Sequence, residues 1–180
     1  MEGISVFHNE LARTHYSESR PDLIAKFGLN LVKANDLKQN NIIFQNFYYS
    51  AEKPNSINYN DVVEVFEDSK KQVWFGTFGG GVNKLSLPIV DTIQFSSVTS
   101  ESGLSNDVIF GIKEDNSNHL WFSSENGLSR YDESNKSIQI YNESNGLSFN
   151  NFAENTCYTL ADGRILFGGS NGIEVVQPEL

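Results

Sequence analysis

A repeated pattern constrains the fold of this chain more than any other feature. Its clearest copies run from Asn60 to Leu85 and from Asn106 to Tyr131, and a more diverged copy runs from Glu154 to Val176. The tryptophans of the first two copies lie 47 residues apart, and Leu166 takes the same place 45 residues later. A repeat of this length built from strand-like segments is typical of β-propeller blades. The sequence therefore predicts an all-β chain of four-stranded antiparallel blades.

Each copy divides into strands by its apolar pattern and its turn residues. An apolar run predicts an inner strand, an aromatic and β-branched run predicts a second strand, and glycines at the reversal lead into a third. In the first clear copy these elements are Val62–Phe66, the turn Asp68–Lys71, Gln72–Thr77, Gly79–Gly81 and Val82–Leu85, with Ile89–Phe95 as the outer strand.

Counting the copies gives about four blades, and the last of them is incomplete. We predict a diverged first blade over 1–60, two full blades over 61–106 and 107–151, and a truncated blade over 152–180. In the first blade the predicted strands are Ile4–Asn9, Leu23–Gly28 with Lys26 at the position of Trp74, Leu29–Val32 and Ile42–Tyr48, and the polar stretch Leu11–Arg20 is an inserted loop.

An incomplete last blade leaves two interpretations open. Another segment supplies the missing strand and closes a four-bladed ring, or the chain is part of a larger propeller. We expect the second, because blades shaped for a large ring close poorly at four and leave apolar faces exposed. Two copies joined through such open edges would form a homo-oligomer.

Composition limits the partners of the chain. With 13 basic and 23 acidic residues its formal net charge is −10, which argues against nucleic acid because phosphate binding needs clustered Lys and Arg. No stretch reaches the roughly 20 apolar residues that span a bilayer, so we expect a membrane connection only through segments outside this chain. The N-terminus resembles no signal peptide, and Cys157 is predicted to be a buried, unreactive thiol.

Catalytic and metal-binding patterns are weak in this sequence. The acid pairs Glu67-Asp68 and Glu114-Asp115 could serve acid–base chemistry, but they recur once per blade at one turn, which indicates a structural role. The spacing of the histidines does not resemble a metal site. Trp74 and Trp121 could stack on sugars, yet their strand positions favour packing between blades. We therefore expect no enzyme activity, no cofactor and no metal.

A binding surface, if the chain has one, is predicted in the loops. The reversal after the second strand shares a face with the start of the inner strand, and Asn, Asp and aromatic side chains there suit sugar hydroxyls, although they are also common turn residues. The candidate ligand-binding residues are Phe78, Glu125, Asn126, Asn171, Asn60, Asp61, Asn106 and Asp107.

The two clear copies carry a family resemblance. The strings NDVVEVFEDSKKQVWFGTFGGGVNKL and NDVIFGIKEDNSNHLWFSSENGLSRYD resemble the two-component regulator propeller repeat, and the final LADGRILFGGSNGIEVVQP is similar to the last blade of such sensors. The resemblance covers about Asn55 to Pro178. Gln72 and His119 replace a glycine of the repeat, and Ser123-Ser124 replaces Gly-Thr.

The resemblance implies a role in sensing. Such propellers form the periplasmic sensory region of transmembrane two-component histidine kinases, so it implies signal transduction with a saccharide or another small ligand as the stimulus. Alternatives are the sensor region of a diguanylate cyclase, or a carbohydrate-binding or scaffolding propeller without signalling output.

Overall fold

The chain folds into four antiparallel β-sheets that follow one another in sequence. A computed structural model describes residues 4–7, 29–33, 45–86 and 93–178. Within each sheet, strands that are neighbours in sequence are neighbours in space, so each sheet is a simple meander. This architecture confirms the predicted all-β class built from antiparallel propeller blades.

The strand bounds define the sheets used below. Sheet 1 contains β1 (Ile4–Phe7), β2 (Leu29–Lys33) and β3 (Gln45–Phe47). Sheet 2 contains β4 (Val62–Glu67), β5 (Val73–Thr77), β6 (Val82–Leu85) and β7 (Phe95–Val98). Sheet 3 contains β8 (Ile109–Glu114), β9 (Leu120–Ser124), β10 (Gly127–Asp132) and β11 (Ser137–Tyr141). Sheet 4 contains β12 (Phe152–Thr159), β13 (Ile165–Gly169) and β14 (Gly172–Val176).

Some predicted strands need correction. Leu29–Lys33 pairs directly with β1, so it is the second strand of sheet 1 and not the third. The outer strand of sheet 2 is Phe95–Val98, because Phe95 pairs with Leu85 and the strand runs on from there. The predicted strand Leu23–Gly28, with Lys26, and the inserted loop Leu11–Arg20 lie outside the described residues.

Apolar side chains between successive sheets form the core. Each sheet has a trailing face, which looks towards the next sheet in chain order, and a leading face, which looks towards the previous one. Phe75 lies on the leading face of sheet 2 and packs with Leu29 of sheet 1, whereas Trp74 lies on the trailing face and packs with Phe122 of sheet 3. Trp121 packs in the same way against Phe167 of sheet 4.

The first strands of sheets 2 and 3 carry the same irregularity. The pairing with the second strand shifts between Val62 and Glu64 in β4, and between Ile109 and Gly111 in β8. These bulges lie 47 residues apart, as the tryptophans do, so the repeat extends to backbone geometry. A longer irregularity lies between Phe152 and Cys157 in β12.

Candidate functional site

Loops from neighbouring sheets meet along one edge of the stack, which we call the loop rim. The rim joins the hairpins between second and third strands to the segments that precede the first strands. The backbone N–H of Phe78 donates to the carbonyl of Asp61, and Gly79 N and Gly81 N donate to the carbonyl of Asp107 at 3.1 and 2.9 Å. The rim therefore brings together Phe78, Asp61 and Asp107, as the sequence predicted for their shared face.

The hairpin after Trp74 is closed by small residues and glycine. Thr77 Oγ1 donates to the carbonyl of Gly81 at 2.8 Å, and in sheet 3 Ser124 Oγ donates to Gly127 at 3.0 Å. The hydroxyl of Ser124 thus replaces that of Thr77, so the departure from the Gly-Thr pattern preserves the turn. Gly81 has φ +69° and an added Cβ there would collide with the Val98 carbonyl, which requires glycine.

Exposed aromatic side chains surround this hairpin. Tyr49, Tyr59 and Phe78 are 49%, 42% and 39% exposed. Tyr59 lies directly over the glycines, since a Cβ built on Gly80 would lie 2.6 Å from Cβ of Tyr59. The Phe78 ring also rests against Phe110, with ring centroids 6.1 Å apart. Tyr59 was not predicted from the sequence, and its position next to the predicted Asn60 was the available signal.

Several predicted polar residues use their side chains to hold the loops. Asn60 Oδ1 accepts from the backbone N–H of Tyr49 at 2.7 Å, and Asn106 Oδ1 accepts from that of Val108 at 2.7 Å. Both carboxylate oxygens of Asp107 accept from Ser100, from its N–H at 2.7 Å and its hydroxyl at 2.6 Å. These atoms are already engaged by the protein, so they have reduced capacity for a ligand.

The same loop contact corrects the alignment of the copies by one residue. Asn60 bonds to the loop before it as Asp107 does, and Asn150 does so again by accepting from Glu143 N at 2.8 Å. Asn60 therefore corresponds to Asp107 rather than to Asn106. The dipeptide Asn-Asp occurs in both copies but starts one residue earlier relative to the tryptophan in the second, so matching letters gave the wrong register.

The other candidates occupy the hairpins of sheets 3 and 4. Glu125 and Asn126 are exposed, and Asn126 Nδ2 donates to the carbonyl of Ser105 at 3.2 Å. Asn171 is exposed in the last hairpin, where Ser170 is its nearest polar neighbour at 3.5 Å. These side chains lie on the same rim, one sheet and two sheets away from Phe78, and the structure does not bring them into contact with it.

The recurring acid pairs have a structural role at the opposite edge. Asp68 and Asp115 are buried, and each accepts the indole N–H of a tryptophan six residues later, at 2.8 Å from Trp74 and 2.9 Å from Trp121. Asp115 Oδ1 also accepts the backbone N–H groups of Ser117 and His119 at 2.9 Å each. Burial by itself would raise the pKa of Asp115, but these hydrogen bonds outweigh it and hold the pKa below its usual value.

The thiol of Cys157 is part-buried between the first strands. Burial raises its pKa, which reduces the thiolate fraction and therefore its reactivity. Lys113 of the neighbouring strand lies 3.5 Å from Glu64 Oε1 and also over the ring of Phe66 at 5.5 Å. This charge pair ties β4 to β8. Among the residues that the structure describes, none forms a helix long and apolar enough to span a membrane.

Stacked four-stranded meanders with buried tryptophans between them define a class of protein, the β-propeller. Residues 103–126 match the family model described as "Two component regulator propeller". The chain thus carries this repeat, which confirms the resemblance inferred from the sequence.

Comparisons with whole proteins agree on the fold. The chain is 27% identical over 180 residues to histidine kinase P4 of Formosa agariphila, covering 99% of this chain and 13% of that kinase. It superposes with TM-score 0.65 on the extracellular domain of the hybrid two component system BT4673 from B. thetaiotaomicron, at 22% identity, covering 86% of this chain and 22% of that one. PorZ, a surface component of the type-IX secretion system of Porphyromonas gingivalis, gives the same TM-score at 14% identity, with coverage of 85% and 22%.

Proposed function

We propose that this chain is part of the extracytoplasmic sensory propeller of a transmembrane two-component histidine kinase. The observation that carries the proposal is the match of residues 103–126 to the regulator propeller repeat. The similarity to a histidine kinase along almost the whole chain supports it. In this proposal the chain binds and transmits, and the catalytic output lies in other parts of a longer protein.

The loop rim is the proposed ligand-binding surface. Tyr59 and Phe78 present exposed ring faces beside a glycine hairpin that adds no side-chain bulk. Aromatic faces stack on the apolar faces of sugar rings, and nearby amides and carboxylates accept hydroxyl hydrogen bonds. Glu125 and Asn126 would supply such groups one sheet away. The proposed ligand is therefore a saccharide long enough to reach two neighbouring hairpins.

Signal transfer requires the ligand to favour one of two arrangements of the receptor. A ligand can shift such an equilibrium only by its difference in affinity for the two states. A saccharide that contacts the hairpins of two sheets would favour the arrangement in which those hairpins are correctly spaced. The rim is built for this, because Asp107 already links the hairpin of sheet 2 to the segment before sheet 3.

A panel of oligosaccharides tests the binding step. We expect one class of glycan to raise the melting temperature of the chain and to bind in calorimetry, with Tyr59→Ala and Phe78→Ala each weakening binding about tenfold, equivalent to about 1.4 kcal/mol. Ile140→Ala is the matched control, because Ile140 is 38% exposed on β11, away from the rim. Binding that is unaffected by both aromatic substitutions would refute the proposed site.

A scaffolding propeller without signalling output is the second candidate. PorZ matches the fold as well as the sensor domain does, so the fold by itself does not separate the two roles. A histidine kinase segment in the same polypeptide as this chain would favour sensing. Its absence from the natural full-length protein, together with stable association with a surface assembly, would favour scaffolding.

A further inference from the structure

The trailing face of sheet 4 differs from the equivalent faces of sheets 2 and 3 in a coordinated way. In sheet 2 a row across the strands joins Phe66, Trp74 and Lys84, and in sheet 3 the equivalent row joins Lys113, Trp121 and Arg130. In both rows a cation lies over the tryptophan, with Lys84 Nζ 5.2 Å and Arg130 Cζ 5.9 Å from the ring centroid.

Every polar part of that arrangement is replaced in sheet 4. The row there is Tyr158, Leu166 and Val175. Leu166 replaces the tryptophan and Val175 replaces the cation. Leu160 stands at the turn position of Asp115, since Leu160 N donates to Arg164 O as Asp115 N donates to His119 O. Three substitutions thus turn a face edged with charge into an apolar one.

This apolar face is open. Tyr158 and Ile173 are each 65% exposed and Val175 is 49% exposed. The equivalent faces of the two preceding sheets are buried, with Trp74 1% and Trp121 4% exposed. Exposed apolar side chains grouped on one sheet face mark an interaction surface.

The chemistry of the face selects among possible occupants. A following sheet of the kind seen within this chain brings an acid: Glu133 of sheet 3 accepts hydrogen bonds from Lys84 and Gln72 of sheet 2. On sheet 4 the position of Lys84 is Val175, which would leave such an acid without its cation, at a desolvation cost. An occupant that is itself apolar at this position avoids that cost.

We propose that this face binds the same face of a second copy of the chain. The contact is isologous, the commonest arrangement in homo-oligomers. A two-fold axis between the sheets and parallel to β13 places Tyr158 of one copy opposite Val175 of the other, with the two Leu166 side chains at the centre. Three strands about 4.8 Å apart and five residues of about 3.3 Å give a patch of roughly 14 by 17 Å, far smaller than a standard interface. The dimer is therefore weak in solution.

Weak association suits a receptor held in a membrane, and this clause rests on the proposed function. Tethering in one membrane raises the effective concentration of the second copy without any new contact. Because each chain carries a net charge of −10, copies repel at long range, and salt that screens this repulsion should strengthen the dimer.

Sedimentation velocity of the 180-residue chain between about 5 and 500 µM tests the proposal. We expect reversible dimers at the upper concentrations, more of them at high salt, and a weakening of at least about tenfold in Val175→Lys and in Ile173→Lys. Ile140→Lys is the control, because it places the same charge on an exposed apolar position of β11 and should leave association unchanged. Circular dichroism checks that each variant folds.

Two outcomes would overturn the proposal. One is a chain that stays monomeric at every concentration and salt, which leaves the face to a different occupant such as a further blade. The other is association that Ile140→Lys weakens as much as Val175→Lys does. Neither result bears on saccharide binding at the loop rim, so the two proposals fail separately.

Discussion

The hydrogen bond between Asp115 and Trp121 offers the sharpest test of how this repeat is stabilised. Both groups are buried, and the indole N–H lies 2.9 Å from the carboxylate. Trp121→Leu leaves a cavity and one carboxylate oxygen without its donor, for an expected cost of about 3 kcal/mol. Asp115→Leu leaves the indole and the backbone N–H groups of Ser117 and His119 without an acceptor, for a further cost of about 3 kcal/mol.

The double variant should cost less than the sum of the two single variants. It removes the indole and the carboxylate together, as the chain itself does with Leu160 and Leu166 in sheet 4. We expect a coupling free energy of about 1 to 2 kcal/mol. Urea unfolding followed by circular dichroism at pH 7 measures it, provided that the dependence on urea is equal among the four proteins.

Two further cycles serve as controls. Asp68 and Trp74 should give the same coupling in sheet 2, because their hydrogen bond is equally buried. Asp162 and Arg164 form an exposed ion pair at 2.7 Å, and substituting both with Ala should show a coupling of less than about 0.5 kcal/mol. Additive effects of Asp115→Leu and Trp121→Leu would refute the reasoning, since they would mean that the indole and the carboxylate act independently.

Acid adds a second readout to the same cycle. The pKa of Asp115 is lowered in the folded protein, so Asp115 stabilises the fold above the ordinary carboxyl pKa. That contribution is lost as the pH falls through the folded value. Trp121→Leu removes one of the hydrogen bonds that lower this pKa, and the loss should therefore begin at a higher pH than in the unmodified chain.

Three other substitutions have defined outcomes. Glu133→Gln should cost about 1 kcal/mol in urea unfolding at pH 7, because hydrogen bonds from Lys84 and Gln72 outweigh burial and lower the pKa of Glu133; the difference should vanish near pH 3, and an equal difference there would contradict this cause. Asn118→Gly should raise the melting temperature, since Asn118 has φ +62° and glycine adopts that conformation without strain; a lower temperature would show that the Asn118 side chain matters more than its backbone. Gly127→Ala should cost more than about 2 kcal/mol, because Gly127 has φ +94° and its Cβ would collide with the Tyr141 carbonyl; native-like urea stability would disprove the requirement for glycine.

The sequence predicted the sheets well where strand chemistry repeats, and less well where pairing depends on distant residues. Trp74 and Trp121 were correctly placed in the interior, because a large aromatic at a fixed period packs between blades. The outer strand Phe95–Val98 was misplaced because Ile89–Phe95 is the more apolar stretch, and only pairing with Leu85 decides the register. The exposure of Tyr59 depends on how two loops meet, which strand patterns do not encode.

Comparison among the copies separates structural residues from residues with another role. Asp68 and Asp115 lose their appeal as catalytic acids once each is seen to accept an indole N–H at the same turn. The same comparison gives meaning to a departure: Leu160, Leu166 and Val175 change together, although they are far apart in sequence, because they build one face. A change in one of them alone would leave an unpaired donor, acceptor or charge in a packed surface. Their joint replacement is therefore what a surface needs when its neighbour brings no polar group of its own.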